Sequence, residues 1–424
     1  MRILLIGAGG VGDAFVRIAA RRDFFERCVV ADYDVARAQR SVQAVAASED
    51  GRDRFVAAQV DASDPDAVAA LAREHTVTHV MNAVDPRFVM GVFEGAFAAG
   101  ADYLDMAMSL STRHPDKPHE LPGRKLGDEQ FAVEESWREA GRLALVGIGV
   151  EPGLSDVFAR YAADHLFSEI DELGTRDGAN LVVTGADGEP AFAPSFSIWT
   201  TIEECLNPPV IYEEDRGWFT TAPFSEPEVF DFPAGIGPVE CVNVEHEEVL
   251  LMPRWLKARR VTFKYGLGEE FISVLKTLNA IGLDRTEPVS VPSSAGRVQV
   301  SPRDLVAACL PDPATLGDRM SGTTCAGLWV TGTGKDGAPR EVYLYHAVDN
   351  AWSMAEYGSQ CVVWQTAVHP VVALELLATG IWSGTGVLGP EAFDAVPFLD
   401  LLKDGYGSPW ELQERTPAGV PHSD

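Results

Sequence analysis

Apolar and polar positions follow two different rhythms along this chain. Over the first third, short apolar runs are each followed by a segment of helical period. Residues 3–6 form an unbroken apolar run, as in a strand buried on both faces, and Val11, Ala14, Phe15, Ile18 and Ala19 then recur at helical spacing. The pairing repeats through strands at 28–32, 54–61, 79–84, 102–105 and 143–147. Helices fall between them at 35–47, from Ser63-Asp-Pro-Asp onward, at 87–99 and at 128–141. Ser63 or Asp64 suits the cap of the second of these and Pro65 its first turn. Strictly alternating strands and helices predict a doubly wound parallel sheet with helices on both faces.

The rhythm changes after about residue 168. Shorter, alternating segments at 180–184, 247–252, 260–265, 326–332 and 340–346 predict strands, and Thr331-Gly-Thr-Gly-Lys-Asp-Gly337 predicts the turn of a hairpin. Helices are expected at 269–278 and 302–309. The expected architecture is therefore α/β: an N-terminal Rossmann sheet over residues 1–168, then an α+β unit over 169–349 with a largely antiparallel sheet, suited to substrate binding or dimerisation. The apolar helical pattern at 363–377 and the Gly/Pro-rich stretch after Gly380 predict that residues 350–404 return to complete the first unit. Pro, Gly and charge after Gly405 predict a poorly ordered tail over 405–424.

Composition narrows the classes. The chain has 424 residues, 46% of them apolar, enough for sizeable cores. Its 63 acids against 34 bases give a formal charge of −29, which disfavours nucleic acid and anionic membranes as partners. The six cysteines are scattered without a Cys-x-x-Cys pair and read as reduced thiols; no cluster has zinc spacing, and no metal is expected. The chain opens on its first strand and shows no leader or apolar run of spanning length, so a cytoplasmic protein is expected.

The sharpest chemical signal is the turn after the first strand, Gly7-Ala-Gly9-Gly10-Val11-Gly12, with Asp32 closing the second strand twenty residues later. Gly7 makes the tight turn, Gly9 lets backbone approach a pyrophosphate, and Gly12 packs helix on strand, while the helix N-terminus offers N–H groups to phosphate. Asp32 suits a ribose hydroxyl and repels a 2′-phosphate, so NAD is expected ahead of NADP, although Arg37 and Arg40 lie within reach of such a phosphate. Ligands of such sheets sit beyond the strands' carboxyl ends. That rule adds Asp61, Asn82 and Ala83 to the cofactor set and points to Asp105 and to Glu151, in Gly147-Ile-Gly149-Val-Glu151-Pro-Gly153, as proton-transfer candidates. The plainer readings are caps for Asn82 and Asp105 and a turn carboxylate for Glu151. Arg260 and Lys264 share one face of a strand about 13 Å apart, fit to hold two anionic groups. A charge-blunted edge strand is their plainer reading. His346 ends a strand facing Asp349-Asn350 and reads best as a core histidine.

Taken together, the Gly7–Gly12 turn, Tyr103-Leu-Asp105, the 147–153 loop, the 260–265 strand and the late Thr366…Pro370…Gly380…Pro390 pattern resemble the saccharopine dehydrogenase family over about residues 1–400. The likeness is weakest over 105–130 and 205–255. It implies hydride transfer at a C–N bond: a primary amine and an aldehyde or 2-oxo acid form an imine, which NAD(P)H reduces. On this resemblance the acid of the family's Asp-Pro-Gly loop falls on Glu151, a family cysteine falls on Thr184, Trp199 lines the substrate pocket, and Arg260 and Lys264 match basic positions for substrate carboxylates. Glu151, Asp105 and Lys264 then carry the chemistry and Arg260, Thr184 and Trp199 the substrate, an amino-acid-derived amine, in a homodimer. Two alternatives stay open. One is an oxidative deaminase resembling lysine 6-dehydrogenase, or a polyamine-forming relative whose pocket would need acids in place of Arg260. The other is a silent NAD-binding sensor that dimerises through its antiparallel sheet.

Overall fold

The computed structural model describes residues 1–46, 54–185, 187–294 and 296–416. Its first sheet has seven strands, all parallel, in the spatial order Gly386–Leu388, Leu143–Leu145, Asp102–Asp105, His79–Asn82, Arg2–Ile6, Arg27–Asp32, Phe55–Gln59. Helices cover both faces, which explains the unbroken apolar runs: Leu4, Leu5, Val30, Val80 and Leu104 are wholly buried. The chain's winding direction reverses between the Arg2–Ile6 and His79–Asn82 strands. A crevice for a ligand forms at the carboxyl ends there.

Local chemistry starts the helices where the sequence places them. Asp34 accepts from the Ala36 N–H to begin Val35–Val45, and Asp64 accepts from Asp66 and Ala67 to begin Pro65–Glu74. Ala47, the last residue expected in the first of these, lies outside the described residues. The expected 128–141 helix is two short ones, Asp128–Phe131 and Glu134–Glu139. The strand Gly386–Leu388 pairs with Leu143–Leu145, and helix Cys361–Ala378 packs on helix Gly10–Ala19. That 18-residue helix is apolar enough to cross a membrane, but most of it is buried as a core helix.

The second sheet has nine strands and is mixed. Its long hairpin, Thr323–Gly334 with Pro339–Asp349, pairs Thr323 opposite Asp349 and lies against Phe167–Ala179. Arg260–Tyr265 runs parallel to Phe167–Ala179, while its other partners, Val210–Glu213 and Gly237–Asn243, are antiparallel. It is thus an interior strand, not an edge.

Three expectations are corrected. Residues 247–252 are not a strand: helix Glu248–Trp255 occupies them, and Glu248 to Met252 are all buried. A run buried on every side carries no period, so spacing could not separate helix from strand. The expected 180–184 strand shrinks to Val182–Val183, bridged to Met320–Ser321. The tail is ordered as far as a strand, Glu411–Arg415, which pairs along the free edge of Pro339–Asp349. There it satisfies an exposed row of N–H and C=O groups, with the Arg415 guanidinium 4.1 Å from the Phe230 ring.

Candidate active site

Where the two sheets face each other, a cleft of about 1620 Å³ runs from the glycine turn to the second sheet. Gly7, Gly9, Gly10, Val11, Asp32, Asp61, Asn82 and Ala83 line its nucleotide end; Asp105, Glu151 and Trp199 line the remainder. Of the expected cofactor set only Gly12 stands behind the wall.

The glycines separate by what each faces. Gly7 has φ +103°, and a Cβ there would lie 2.5 Å from the Ala83 carbonyl oxygen. A Cβ on Gly12 would lie 1.9 Å from the Gly7 carbonyl oxygen. Both are demanded by the protein's own packing. A Cβ on Gly9 meets nothing within 4 Å, so internal packing makes no such demand at that position. Its bare backbone on the open side of the turn fits a pyrophosphate held by the N-terminus of helix Gly10–Ala19. Asp32 is buried, with Oδ2 accepting from the Ala8 N–H at 2.8 Å and Oδ1 from the Asp34 N–H at 2.9 Å. It therefore braces the turn as well as facing the cleft, which Arg37 also lines. Asn82 donates to the Tyr103 hydroxyl at 2.9 Å, and its Oδ1 accepts from the Val84 N–H at 3.2 Å.

Asp105 pairs in register with Asn82 at the ends of adjacent strands. Its Oδ1 accepts from the Gly147 N–H at 2.7 Å and its Oδ2 from the Gln130 amide at 2.8 Å. Burial outweighs these donors and pushes the Asp105 carboxyl up to about 7. Glu151 follows in the glycine-rich loop, where Gly149 donates to the Pro152 carbonyl at 2.6 Å. One Glu151 oxygen accepts from the Ser155 hydroxyl; the other, Oε2, is buried without a partner. Burial, with the charges of Asp177 and Glu248, holds Glu151 well above the usual carboxylate range.

Deeper in the cleft stands a group that the sequence reading missed. Asp177, Glu204, Glu247 and Tyr265 line the wall, backed by His246 and Glu248. His246 Nδ1 lies 2.6 Å from Glu248 Oε2, its Nε2 lies 3.0 Å from the Tyr265 hydroxyl, and its ring stacks 3.8 Å from that of Phe263. Burial disfavours the charged ring, but Glu248, Glu204 and Glu247 together outweigh it and raise His246 to about 10. Donor atoms of His246, Glu247 and Glu248 converge within 4.8 Å, but both ring nitrogens are already engaged. The signal was present as the acid-rich string Glu245-His-Glu-Glu248, hidden by reading the segment as a strand.

Other expected residues stand elsewhere. Arg260 and Lys264 do not line the cleft. They point to the opposite side of their strand from Tyr265's neighbour Phe263, and carboxylates already neutralise them: Arg260 pairs with Glu213 and Glu226 at 2.6 Å each, and Lys264 with Glu228 at 2.9 Å. Arg260→Ala is therefore expected to leave the Michaelis constant for substrate within about threefold, since it breaks only a partly exposed ion-pair cluster. A loss of apparent affinity of about tenfold in steady-state kinetics would restore Arg260 as a carboxylate clamp. Thr184 is exposed and off the cleft, its N–H donating to the Arg319 carbonyl. Trp199 does line the cleft and donates to Asp304 at 3.1 Å, its ring flanked by the guanidinium groups of Arg87 and Arg303. His346 is buried away from the cleft between Ser408 and Gln365, and burial lowers it to about 4. It is a neutral core histidine, as its sequence setting suggested.

Comparison with known proteins fits this picture. Residues 3–145 match the model described as the saccharopine dehydrogenase NADP binding domain, and residues 149–407 the saccharopine dehydrogenase C-terminal domain. Carboxynorspermidine synthase of Vibrio alginolyticus is 30% identical over 423 residues, covering 98% of both chains. Carboxyaminopropylagmatine dehydrogenase of Synechocystis sp. is 28% identical over 410 residues, covering 96% of both. Among solved structures, apo saccharopine dehydrogenase (L-Glu forming) from Saccharomyces cerevisiae shares the fold, with a TM-score of 0.67 at 14% identity over 98% of this chain and 100% of that one.

Proposed function

The chain belongs to the saccharopine dehydrogenase family and is an NAD(P)-dependent oxidoreductase of CH–NH groups; from that premise we propose that its amine substrate is a diamine or polyamine cation, joined through an imine to a carbonyl compound that carries a carboxylate. One observation carries this choice over an amino-acid amine: among the described residues, twelve acidic side chains line the cleft against two arginines, Arg37 and Arg87, and no lysine. Such a wall attracts ammonium groups and repels a second carboxylate. The names of the Vibrio and Synechocystis relatives, both carboxylated polyamine-type products, support the same substrate class.

The chain's own residues then divide the work. The glycine turn, with Asp32 bracing it, would hold the dinucleotide, which when bound supplies or accepts the hydride. Glu151, with its unpartnered oxygen, is suited to take the proton that a reacting ammonium must lose before its nitrogen can attack the carbonyl. Asp105, poised near neutrality beside Asn82, is suited to give a proton to the departing hydroxyl when water leaves and the imine forms. Gln130 and the Gly147 N–H fix its carboxyl in place.

The test offers NADH and NADPH separately to the purified protein, with propane-1,3-diamine, agmatine or lysine as amine and an aldehyde- or oxo-bearing acid as partner. The loss of reduced-cofactor absorbance is followed. Turnover with the diamines is expected. Turnover with lysine alone would return the substrate to the amino-acid class. Tight cofactor binding without turnover on any pair would favour the sensor.

A further inference from the structure

The inner wall of the cleft contains more carboxyl groups than proton transfer requires. Asp177 lies two residues before the end of the strand Phe167–Ala179, in register with Tyr265 of the parallel neighbour. Glu204 projects from helix Ile198–Leu206, and Glu247 precedes helix Glu248–Trp255. Glu247 accepts from the Met108 N–H at 3.0 Å, and Asp177 from the Gly327 N–H at 3.3 Å. Behind them His246 is shared among the acids: its Nδ1 lies 2.6 Å from Glu248 Oε2 and 3.4 Å from Glu247 Oε2, and its Nε2 lies 3.9 Å from Glu204 Oε1. Glu151, which lines the cleft, leaves its buried Oε2 without a donor, and the wholly buried Glu248 behind it leaves Oε1 the same. The charge of Glu248 is felt by Glu151, Asp177, Glu204 and Glu247 alike, so this unsatisfied group belongs to the same cluster. Asp177, Glu204, Glu247 and Glu248 thus share a single imidazolium, so the acidic groups facing the cavity outnumber the positive charge beside them.

We propose that Asp177, Glu204 and Glu247, capped by Tyr265, form a receptor for the second, non-reacting ammonium group of the amine substrate, so that the protein selects diamines over monoamines. The inference rests on the cationic-amine reading above and adds where the selectivity resides. Four elements converge there, and none contributes a lysine or arginine to the cleft wall. An ammonium inserted among these groups gains charge-assisted hydrogen bonds in a desolvated setting, where they count for more than in water. Burial holds Glu204 up at about 8 even against the charge of His246, the response expected of a carboxyl kept from water. A monoamine of the same length reaches the carbonyl partner but leaves this receptor empty.

The experiment is calorimetric titration of the full-length protein, saturated with oxidised cofactor, using propane-1,3-diamine and propylamine as probes. The diamine is expected to bind at least about 10-fold tighter than the monoamine, the effect of one or two hydrogen bonds to charged groups. Asp177→Asn and Glu204→Gln should each move that ratio towards one while cofactor affinity is kept. Equal wild-type affinity for the two probes overturns the proposal whatever the variants do, and so does a ratio unchanged in both folded variants. Because binding is read without turnover, the outcomes separate. A diamine that binds selectively, with no carbonyl acid giving an imine that is reduced, sinks the reductase reading and leaves the receptor. Monoamines bound and turned over as well as diamines sink the receptor and leave the reductase.

Discussion

Gly12→Val is expected to abolish measurable cofactor binding and to lower stability by about 1–3 kcal/mol or more, the cost of overpacking a close-packed interior. A Cβ at this position would stand 1.9 Å from the Gly7 carbonyl oxygen, a backbone atom that cannot rotate away. Gly7 is itself pinned: its N–H donates to the Ala31 carbonyl at 2.8 Å, and a shift towards the next strand closes on Ala83. The conflict is relieved only if helix Gly10–Ala19 backs away from the strand that feeds it, and that disrupts its packing on Cys361–Ala378. The helix N-terminus then no longer points its N–H groups at the turn. Gly9→Ala is the control that separates the two causes. Its Cβ has open space on the protein side, so the melting temperature should hold while cofactor affinity falls. Thermal unfolding paired with a cofactor fluorescence titration reads both. Wild-type affinity in Gly12→Val would contradict the role of this turn.

Asp105→Asn is expected to lower kcat by about 100- to 1000-fold, within the usual contribution of a positioned acid or base. The amide keeps the shape of the carboxyl, and only one of its two positions can still accept as the Gly147 N–H and the Gln130 amide require. The pH dependence gives the more specific sign. Burial lifts this carboxyl to about 7, so it is protonated below that pH and charged above it. As an acid in the condensing direction it is competent on the low side, and kcat/KM for imine formation and reduction should fall as pH rises through about 7. That break should vanish in the Asn variant, leaving a low, flatter profile. An unchanged break would assign the titration to another group, and Glu151 would be the next residue to replace.

Much of this was legible before any coordinates. The Gly7–Gly12 turn, its flanking strand and helix and the spaced Asp32 are local features, written within a few residues of one another. So are the cap at Asp64 and the strand that ends in Asp105. Segments that owe their form to their surroundings were misread. Residues 247–252 are apolar and buried all round, so periodicity carried no signal for their helix. The strand Glu411–Arg415 exists because a hairpin edge distant in sequence needs partners. Arg260 and Lys264 looked like a clamp because spacing shows which residues share a face but not which way that face points.

By itself the sequence determined the alternating architecture, the dinucleotide turn and the carboxylates at the strand ends, since these follow from period, backbone freedom and short-range capping. Only the tertiary structure brought the acidic wall of the cleft together. Asp177, Glu204, Glu247 and Tyr265 come from four separated elements, and no local pattern links them. Their convergence sets an acidic wall inside the cleft, while Arg260 stands outside it, already paired with carboxylates. The physical reason is that electrostatic selectivity depends on distance and desolvation among side chains, and both are properties of the folded chain.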